Sequence, residues 1–136
     1  MDIEILSGTA SRLYELVAPL VMNRGVLRQN NNYPFKTSSH HVWFVALDLG
    51  AVIGFMPVEI RDSGAIINNY YIKGDDNDTL SALINEVQAY FTDISVIRSV
   101  THTRHKEVFV ENHFSIVQEW KLYLKMEYKR EDEKKK

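Results

Sequence analysis

The segment that most limits the fold is a helical run that lies between two strand-like runs in the middle of the chain. Its apolar residues recur at helical spacing and form one stripe, at Leu80, Leu83, Ile84, Val87 and Phe91. Residues 65–72 before this run and residues 95–101 after it are apolar and rich in strand formers. Two strands joined by a crossover helix pair in parallel, because a short hairpin cannot make that connection. The sequence therefore predicts a helix over residues 78–92 that links two parallel strands.

Three strands precede this helix with only short turns between them. Asp-Leu-Gly at residues 48–50 and Asp-Ser-Gly at residues 62–64 are typical turn sequences. They separate apolar runs over residues 42–49, 51–61 and 65–72. Such close spacing favours an antiparallel meander.

The rest of the pattern completes a mixed sheet. A first strand holds Ile3 and Ile5, and the other elements are a helix over 9–22, a short helix over 106–112 and strands over 114–120 and 121–128. The predicted fold class is α/β (α+β), a mixed, mostly antiparallel sheet of about seven strands with helices on both faces. We assign residues 1–128 to a single domain and expect the charged residues 129–136 to form a disordered tail.

The composition excludes several classes of function. The 136 residues carry a net charge of −2, which gives no support for binding to nucleic acid or to an anionic membrane. Because the chain has no cysteine, a disulfide framework, a thiolate metal site and a cysteine nucleophile are excluded. The first residues lack the pattern of a signal peptide, and no apolar run approaches the ~18 residues of a membrane span. We expect a cytoplasmic protein, either a monomer or a homodimer.

Three stretches of the sequence carry a likeness to a known family. They read VWFVALDLGAVIGFMPVEI, SALINEVQAYF and ENHFSIVQEWKLYLKMEY. They resemble strands and helices of the GNAT superfamily of acyltransferases, and the resemblance extends to about Tyr128, with His113 in place of a usual glycine. It implies an N-acyltransferase that uses acetyl-CoA or another acyl-CoA. It also implies direct transfer to a small-molecule or macromolecular amine, without a covalent enzyme intermediate.

The cofactor loop departs from the family pattern. In the family, Q/R-x-x-G-x-G/A opens the crossover helix, and its glycine backbone and helix dipole hold the CoA diphosphate. Here the matching text is GDDNDTL, which keeps Gly74 but places three aspartates at the helix start. Like charge opposes a diphosphate. The aspartates either cap the helix, or leave backbone N–H groups that still receive CoA, or bind a divalent cation.

The resemblance also implies how the rest of the cofactor would bind. In the family, the strand before the loop splays from its neighbour, and its free backbone groups pair with the pantetheine arm. Asp78 is in addition the predicted N-cap of the helix. The cofactor-binding residues expected from this pattern are Asn69, Tyr70, Tyr71, Ile72, Lys73, Gly74, Asp78 and Thr79.

Three residues are candidates for proton transfer. Phe109 stands where the family often has a tyrosine acid, and phenylalanine cannot donate a proton. The resemblance points to Glu59 and Asn68 beside the splayed strands, and a position at the end of the fifth strand makes His102 a third candidate. Glu59 can also be read as an exposed strand residue, and His102 as part of a polar loop. We predict no metal site, because the adjacent pair His40-His41 is a poor start for one.

The polar loop over residues 24–41 lies where the family builds its acceptor pocket. The substrate-binding candidates in it are Arg24, Arg28, Asn32, Tyr33 and Lys36. Cations, amides and an aromatic ring together suit a phosphate-bearing or nucleobase ligand, although the loop can equally be a solvated connection. Two further functions therefore stay open: a diverged GNAT-fold protein that acts on a nucleotide or nucleic acid, and a non-catalytic binding or structural domain.

Overall fold

Eight strands form one sheet in the computed structural model, which describes residues 1–130. The strands are β1 Asp2–Ser7, β2 His41–Asp48, β3 Ala51–Arg61, β4 Gly64–Ile67, β5 Tyr71–Ile72, β6 Val96–His102, β7 Ser115–Glu119 and β8 Tyr123–Lys129. The helices are α1 Ser11–Val21, α2 Arg24–Gln29, α3 Asn77–Tyr90 and α4 Lys106–Glu111. Two single 3₁₀ turns, Lys73–Asp75 and Thr103–His105, precede α3 and α4. No helix among residues 1–130 is both long and apolar enough to cross a membrane.

The sheet is mixed, as the sequence predicts. Its order is β1-β2-β3-β4-β6-β8-β7, and β5 pairs with β3. Among the described strands only β4 and β6 pair in parallel, with Ala65 opposite Ile97, and α3 makes the crossover between them. The prediction of a mostly antiparallel sheet with helices on its faces is confirmed. The sheet has eight strands where about seven were expected, because the strand predicted over residues 65–72 is divided into β4 and β5.

That division occurs at residues 68–70. Strand β4 pairs with both β3 and β6, whereas β5 pairs with β3 only. Between them Asn69 has φ 57°, in the left-handed region that asparagine tolerates better than most residues. The backbone turns there, so β5 continues along β3 while β6 diverges from it.

Two apolar layers cover the sheet. One lies under α3 and α4, where Phe44, Met56 and Leu83 are fully buried. The other lies under α1 and α2, where Leu13 and Trp43 are buried against β2 and β3. The second layer covers only part of its face, and the half-buried residues of β6 and β8 beyond it are Arg98, Val100, Lys125 and Glu127.

The last described residues are tied to α3. Strand β8 runs to Lys129. The Arg130 guanidinium donates to the carbonyl oxygens of Phe91 at 3.0 Å and Ile94 at 3.1 Å, and also to that of Gln88. A cation at the carbonyl end of a helix satisfies free acceptors there. Residues 131–136 of the expected charged tail lie outside the described residues.

Candidate functional site

Strand β5 has one paired edge and one open edge. Tyr71 and Ile72 pair with Phe55 and Gly54 of β3. Within residues 1–130, β5 makes no strand pairing on the side toward β6. We call this gap between β5 and the last residues of β6 the cleft. The open edge of a strand can take an added extended chain through backbone hydrogen bonds.

A buried tyrosine crosses the cleft. Tyr70 is only 2% exposed, and its ring packs on Phe109 with the centroids 5.9 Å apart. The backbone N–H of His102 donates to the Tyr70 hydroxyl over 3.2 Å, and the hydroxyl lies 2.8 Å from Nδ1 of His105. Burial raises the pKa of Tyr70, so its hydroxyl is protonated at neutral pH. Tyr70 thus links the two strands where they diverge.

An ionic contact holds the far end of the cleft. The Asp75 carboxylate lies 2.8 Å from Nε2 of His105 and accepts from Nε of Arg104 at 3.1 Å. Partial burial acts to raise the pKa of Asp75, but the bonds from Arg104 and His105 bring it below the ordinary value. The carboxylate is therefore ionised at neutral pH. We call Asp75, Arg104, His105 and Tyr70 the Asp75 network.

The ionised carboxylate of Asp75 determines which ring nitrogen of His105 carries a proton. Because it can only accept, Nε2 of His105 carries a proton. Burial lowers the pKa of His105 against the opposing bond to Asp75, so the ring is neutral and Nδ1 is an acceptor. The Tyr70 hydroxyl therefore donates to Nδ1 of His105. Arg104 also donates to the backbone oxygen of Gln29 at 3.0 Å, which ties α2 to the same network.

The cofactor loop caps α3 with a different aspartate from the one predicted. Asp76 is the N-cap, and its carboxylate accepts from the backbone N–H of Thr79 at 2.9 Å and from the Thr79 hydroxyl at 2.7 Å. The prediction of Asp78 as N-cap is wrong, since α3 begins at Asn77 and Asp78 lies in its first turn. Thr79 was one of the expected cofactor-binding residues, but its backbone N–H already donates to Asp76.

The loop geometry separates the three readings of GDDND. Gly74 and Asp75 both have positive φ, 63° and 51°, and the chain there forms a tight turn. Arg104 and His105 bind Asp75, and Asp76 caps the helix, so two of the three aspartates have partners within the protein. Within the described part of the chain, no group of three or more His, Asp or Glu side chains is placed to hold a metal ion.

The two halves of a CoA molecule would meet different environments in this loop and cleft. The open edge at Tyr71 and Ile72 fits the amides of a pantetheine arm, provided that the Asp75 network opens. A diphosphate at the start of α3 would meet the three carboxylates of Asp75, Asp76 and Asp78, and Lys73 is the one cation among residues 73–79.

A cavity of about 420 Å³ opens on the partly covered face of the sheet, next to the turn at Asn69. We call it the aromatic cavity, and its lining residues are Tyr33, Pro34, Lys36, Asn68, Asn69, Val100, Trp120 and Tyr123. The residues come from the loop after α2, the turn between β4 and β5, strand β6, the turn before β8 and the first residue of β8. Residues far apart in sequence are thus brought to one place.

A second cavity of about 330 Å³ adjoins it. We call it the Glu59 cavity, and its lining residues are Lys36, His41, Pro57, Glu59, Arg61, Ile66, Asn68 and Asn69. Glu59 has a side chain 34% exposed and accepts from Arg61 at 3.0 Å. Lys36, Asn68 and Asn69 line both cavities, so these three residues mark the border between them.

Two asparagines hold the loop after α2 over the aromatic cavity. Asn30 is 1% exposed, and its Nδ2 donates to Oδ1 of Asn69 at 3.0 Å. Nδ2 of Asn31 donates to the Tyr123 hydroxyl at 2.8 Å. These bonds connect the loop both to the turn between β4 and β5 and to β8. The long polar loop is therefore an ordered wall of the site.

The structure divides the predicted site residues into two groups. Glu59, Asn68, Asn69, Tyr33 and Lys36 meet at the two cavities. The others lie elsewhere: Arg24 and Arg28 are exposed on α2, Asn32 is exposed beyond it, Tyr70, Tyr71 and Ile72 are buried along the cleft, and Lys73, Gly74, Asp78 and Thr79 belong to the loop and the start of α3.

His102 also lies outside both cavities. It is 2% exposed and packs between the rings of Tyr70 and Tyr123, with centroids at 5.2 and 5.3 Å. Its Nδ1 is buried without a hydrogen-bond partner among the described residues. Burial, together with the charge of Arg104, lowers the pKa of His102 to about 4. The ring is a neutral part of the packing.

Four residues of the site and the Asp75 network were not predicted as site residues from the sequence, namely Trp120, Tyr123, Arg104 and His105. The sequence pattern predicts Trp120 and Tyr123 as ordinary strand residues. They become site residues only because the folded chain brings them to the cavity beside Asn69. The pair Arg104-His105 does carry a signal, since two basic residues beside a strand end can neutralise the aspartates of GDDND.

Comparison with known proteins supports the fold. No protein-family model matches the chain, and no curated protein sequence matches it. Solved structures do match over almost the whole chain. Escherichia coli ElaA superposes with a TM-score of 0.72 at 9% identity, over 95% of this chain and 100% of that one. Tetrahymena GCN5 superposes with a TM-score of 0.73 at 15% identity, over 95% and 96%.

A third match was solved with a ligand. The PaiA N-acetyltransferase from Thermoplasma acidophilum, in complex with coenzyme A, superposes with a TM-score of 0.63 at 17% identity, over 96% of this chain and 100% of that one. The structural neighbours are N-acetyltransferases of the GNAT type. The chain therefore has the GNAT fold.

We expect the stability of the fold to fall in mild acid because of His102. Its pKa is lower in the folded chain than the ordinary value of about 6.5, so the unfolded chain binds the extra proton. The free energy of unfolding should then decrease by about 3 kcal/mol as the pH falls from about 6.5 to about 4. His102→Phe keeps the ring packing and removes the titrating group. Urea unfolding from pH 7 to pH 4 should show a shallower decline for this variant, and equal declines would contradict the assignment.

Proposed function

We propose that the protein is an N-acyltransferase that moves an acyl group from an acyl thioester to an amine. The observation that carries this proposal is the open edge of β5, which diverges from β6 beside the aromatic cavity in a chain with the GNAT fold. A donor arm paired with Tyr71 and Ile72 would end at the Asn69 turn, where both cavities begin. The thioester supplies an activated acyl group when it is bound.

The amine acceptor must lose a proton as it attacks, and Glu59 is placed to take it. Glu59 has the one carboxylate among the lining residues of the two cavities. Its carboxylate accepts a hydrogen bond from Arg61 at 3.0 Å. A carboxylate at this place also attracts an ammonium group and orients it. Asn68, on the border between the cavities, is a positioning residue for the acceptor.

Direct transfer suits the residues that line the site. Neither set of lining residues contains serine, threonine or cysteine, and the chain has no cysteine at all. A covalent enzyme intermediate on a serine, threonine or cysteine therefore has no nucleophile among these residues. The proposed reaction is a single attack of the amine on the acyl carbon.

A non-catalytic ligand-binding function is the second candidate. The observation that favours it is the Asp75 network, which joins the cofactor loop to the end of β6 through contacts of 2.8 and 3.1 Å. If these contacts do not open, a donor cannot reach the β5 edge, and the two cavities would serve binding alone. Turnover of any acyl thioester distinguishes the two candidates.

The donor should be recognised by its arm and hardly by its nucleotide half. Since the loop does not fit a diphosphate, acetyl-CoA and acetyl-pantetheine should bind with Kd values within about threefold of each other. Asp75→Asn weakens the Asp75 network and removes one negative charge, so both donors should bind about fivefold more tightly. Calorimetric titration measures this, with Asp93→Asn as the matched control. A hundredfold preference for acetyl-CoA would contradict the loop assignment.

Loss of the proposed base should slow the chemical step. Glu59→Gln keeps the size of the side chain and cannot accept a proton at neutral pH. We expect kcat to fall by about 100-fold while KM changes less than threefold. Glu111→Gln, an exposed change on α4, is the control. If Glu59→Gln retains full kcat and His102→Phe abolishes it, the base is His102 and this assignment is overturned.

A further inference from the structure

The charge in the aromatic cavity is positive and comes from Lys36. Lys36 is the only ionisable cation or anion among its eight lining residues, apart from the phenols of Tyr33 and Tyr123. Within residues 1–130, Lys36 makes no ion pair. An ammonium ligand would meet a like charge there, whereas an anionic group would be attracted. The nearest carboxylate of the site, Glu59, lies in the adjoining cavity.

The walls of the aromatic cavity present large rings to solvent. Tyr33 is 61% exposed and Trp120 is 49% exposed. Trp120 is held at the turn before β8, where its backbone N–H donates to the carbonyl oxygen of Tyr123 at 2.8 Å. These exposed rings line one cavity, so a ligand with a flat ring can stack on them.

The amide of Asn69 adds hydrogen-bond donors. Its Oδ1 accepts from Asn30, which fixes the orientation of the side chain. Nδ2 of Asn69 then has both N–H groups free of partners among the described residues, and Asn69 lines both cavities. Donors and a cation at the border, with rings beyond them, favour a ligand with acceptor oxygens and a planar body.

We propose that the acceptor of this site is an amine that carries a flat ring and an anionic group, either a carboxylate or a phosphate. The ring stacks in the aromatic cavity, Lys36 pairs with the anion, and the amine is directed toward Glu59. The identity of the ligand as acceptor rests on the proposed acyl transfer, whereas its binding does not. A cavity of about 420 Å³ accommodates a molecule between an amino-aryl acid and a nucleoside monophosphate in size.

The test is equilibrium binding to the full chain by calorimetry, with no acyl donor present. The probes are 4-aminobenzoate, aniline, which lacks the anion, 4-aminobutyrate, which lacks the ring, and adenosine 5′-monophosphate, which carries a phosphate. We expect 4-aminobenzoate or the monophosphate to bind at least tenfold more tightly than aniline and 4-aminobutyrate. The tighter of the two identifies the anion. Equal binding of aniline or of 4-aminobutyrate, or binding of none of the four, would overturn the proposal.

Two exposed substitutions test the residues. Trp120→Ala should weaken binding of the tighter probe about tenfold through lost stacking, and Lys36→Met should weaken it about threefold. The matched controls are Tyr14→Ala and Lys106→Met, which change an exposed ring and an exposed cation elsewhere. Equal losses in variant and control would contradict the assignment.

The outcomes separate this proposal from the proposed function. If the ring-bearing anion binds through Trp120 and Lys36 but is never acylated, the binding site stands and acyl transfer fails. If the protein acylates simple aliphatic amines and binds no ring-bearing anion, acyl transfer stands and this proposal fails.

Discussion

Asn69 adopts a left-handed backbone conformation in the middle of what would otherwise be one long strand, and the pairing of the sheet changes there. Before it, β4 is bonded on both edges. After it, β5 is bonded to β3 alone. The cleft, the open edge and both cavities lie around this turn, so its geometry is the constraint on which the candidate site depends. Asn30 holds the Asn69 side chain in place through a buried hydrogen bond.

The charge of the cofactor loop is balanced within the protein itself. Asp75 is neutralised by Arg104 and bonded to His105, and Asp76 satisfies the first turn of α3. In effect, side chains of the loop take the places that a bound diphosphate would take at a glycine-rich helix start. A loop of this kind can still lie beside a donor arm, but it gives the donor little attraction of its own. The chain thus has the GNAT fold, with an aspartate-rich loop at the start of the crossover helix.

The sequence predicted those helices and strands that have strong hydrophobic periodicity. It did not predict features that depend on contacts between residues far apart in the chain. The crossover helix, the meander and the one parallel connection follow from local spacing, and all are present. The N-cap was misplaced by two residues because Asp76 and Asp78 are equally good caps locally, and only the start of α3 at Asn77 chooses between them. Asn68 and Asn69, both among the predicted site residues, lie in the turn between β4 and β5 and line both cavities.

The composition of the site could not be read from local pattern. Trp120 and Tyr123 come from the end of the chain and Tyr33 from near its start, and the tertiary fold alone joins them. His102 was expected near the cleft from its place at a strand end. The fold does put its backbone N–H there, bonded to Tyr70, but buries its ring beneath Tyr123. Arg24 and Arg28 occupy the exposed side of a short helix that the polar sequence hardly suggested.

We propose that a donor binds along the β5 edge by opening the Asp75 network, with no contribution from the start of α3. The most direct measurement is a titration of ¹⁵N-labelled protein with acetyl-pantetheine, followed by amide resonances in NMR spectra. We expect the amide resonances of Tyr71, Ile72 and His102 to shift together with that of Asp75, while those of Thr79 and Leu80 stay in place. Shifts centred on Thr79 and Leu80, with His102 unchanged, would contradict it.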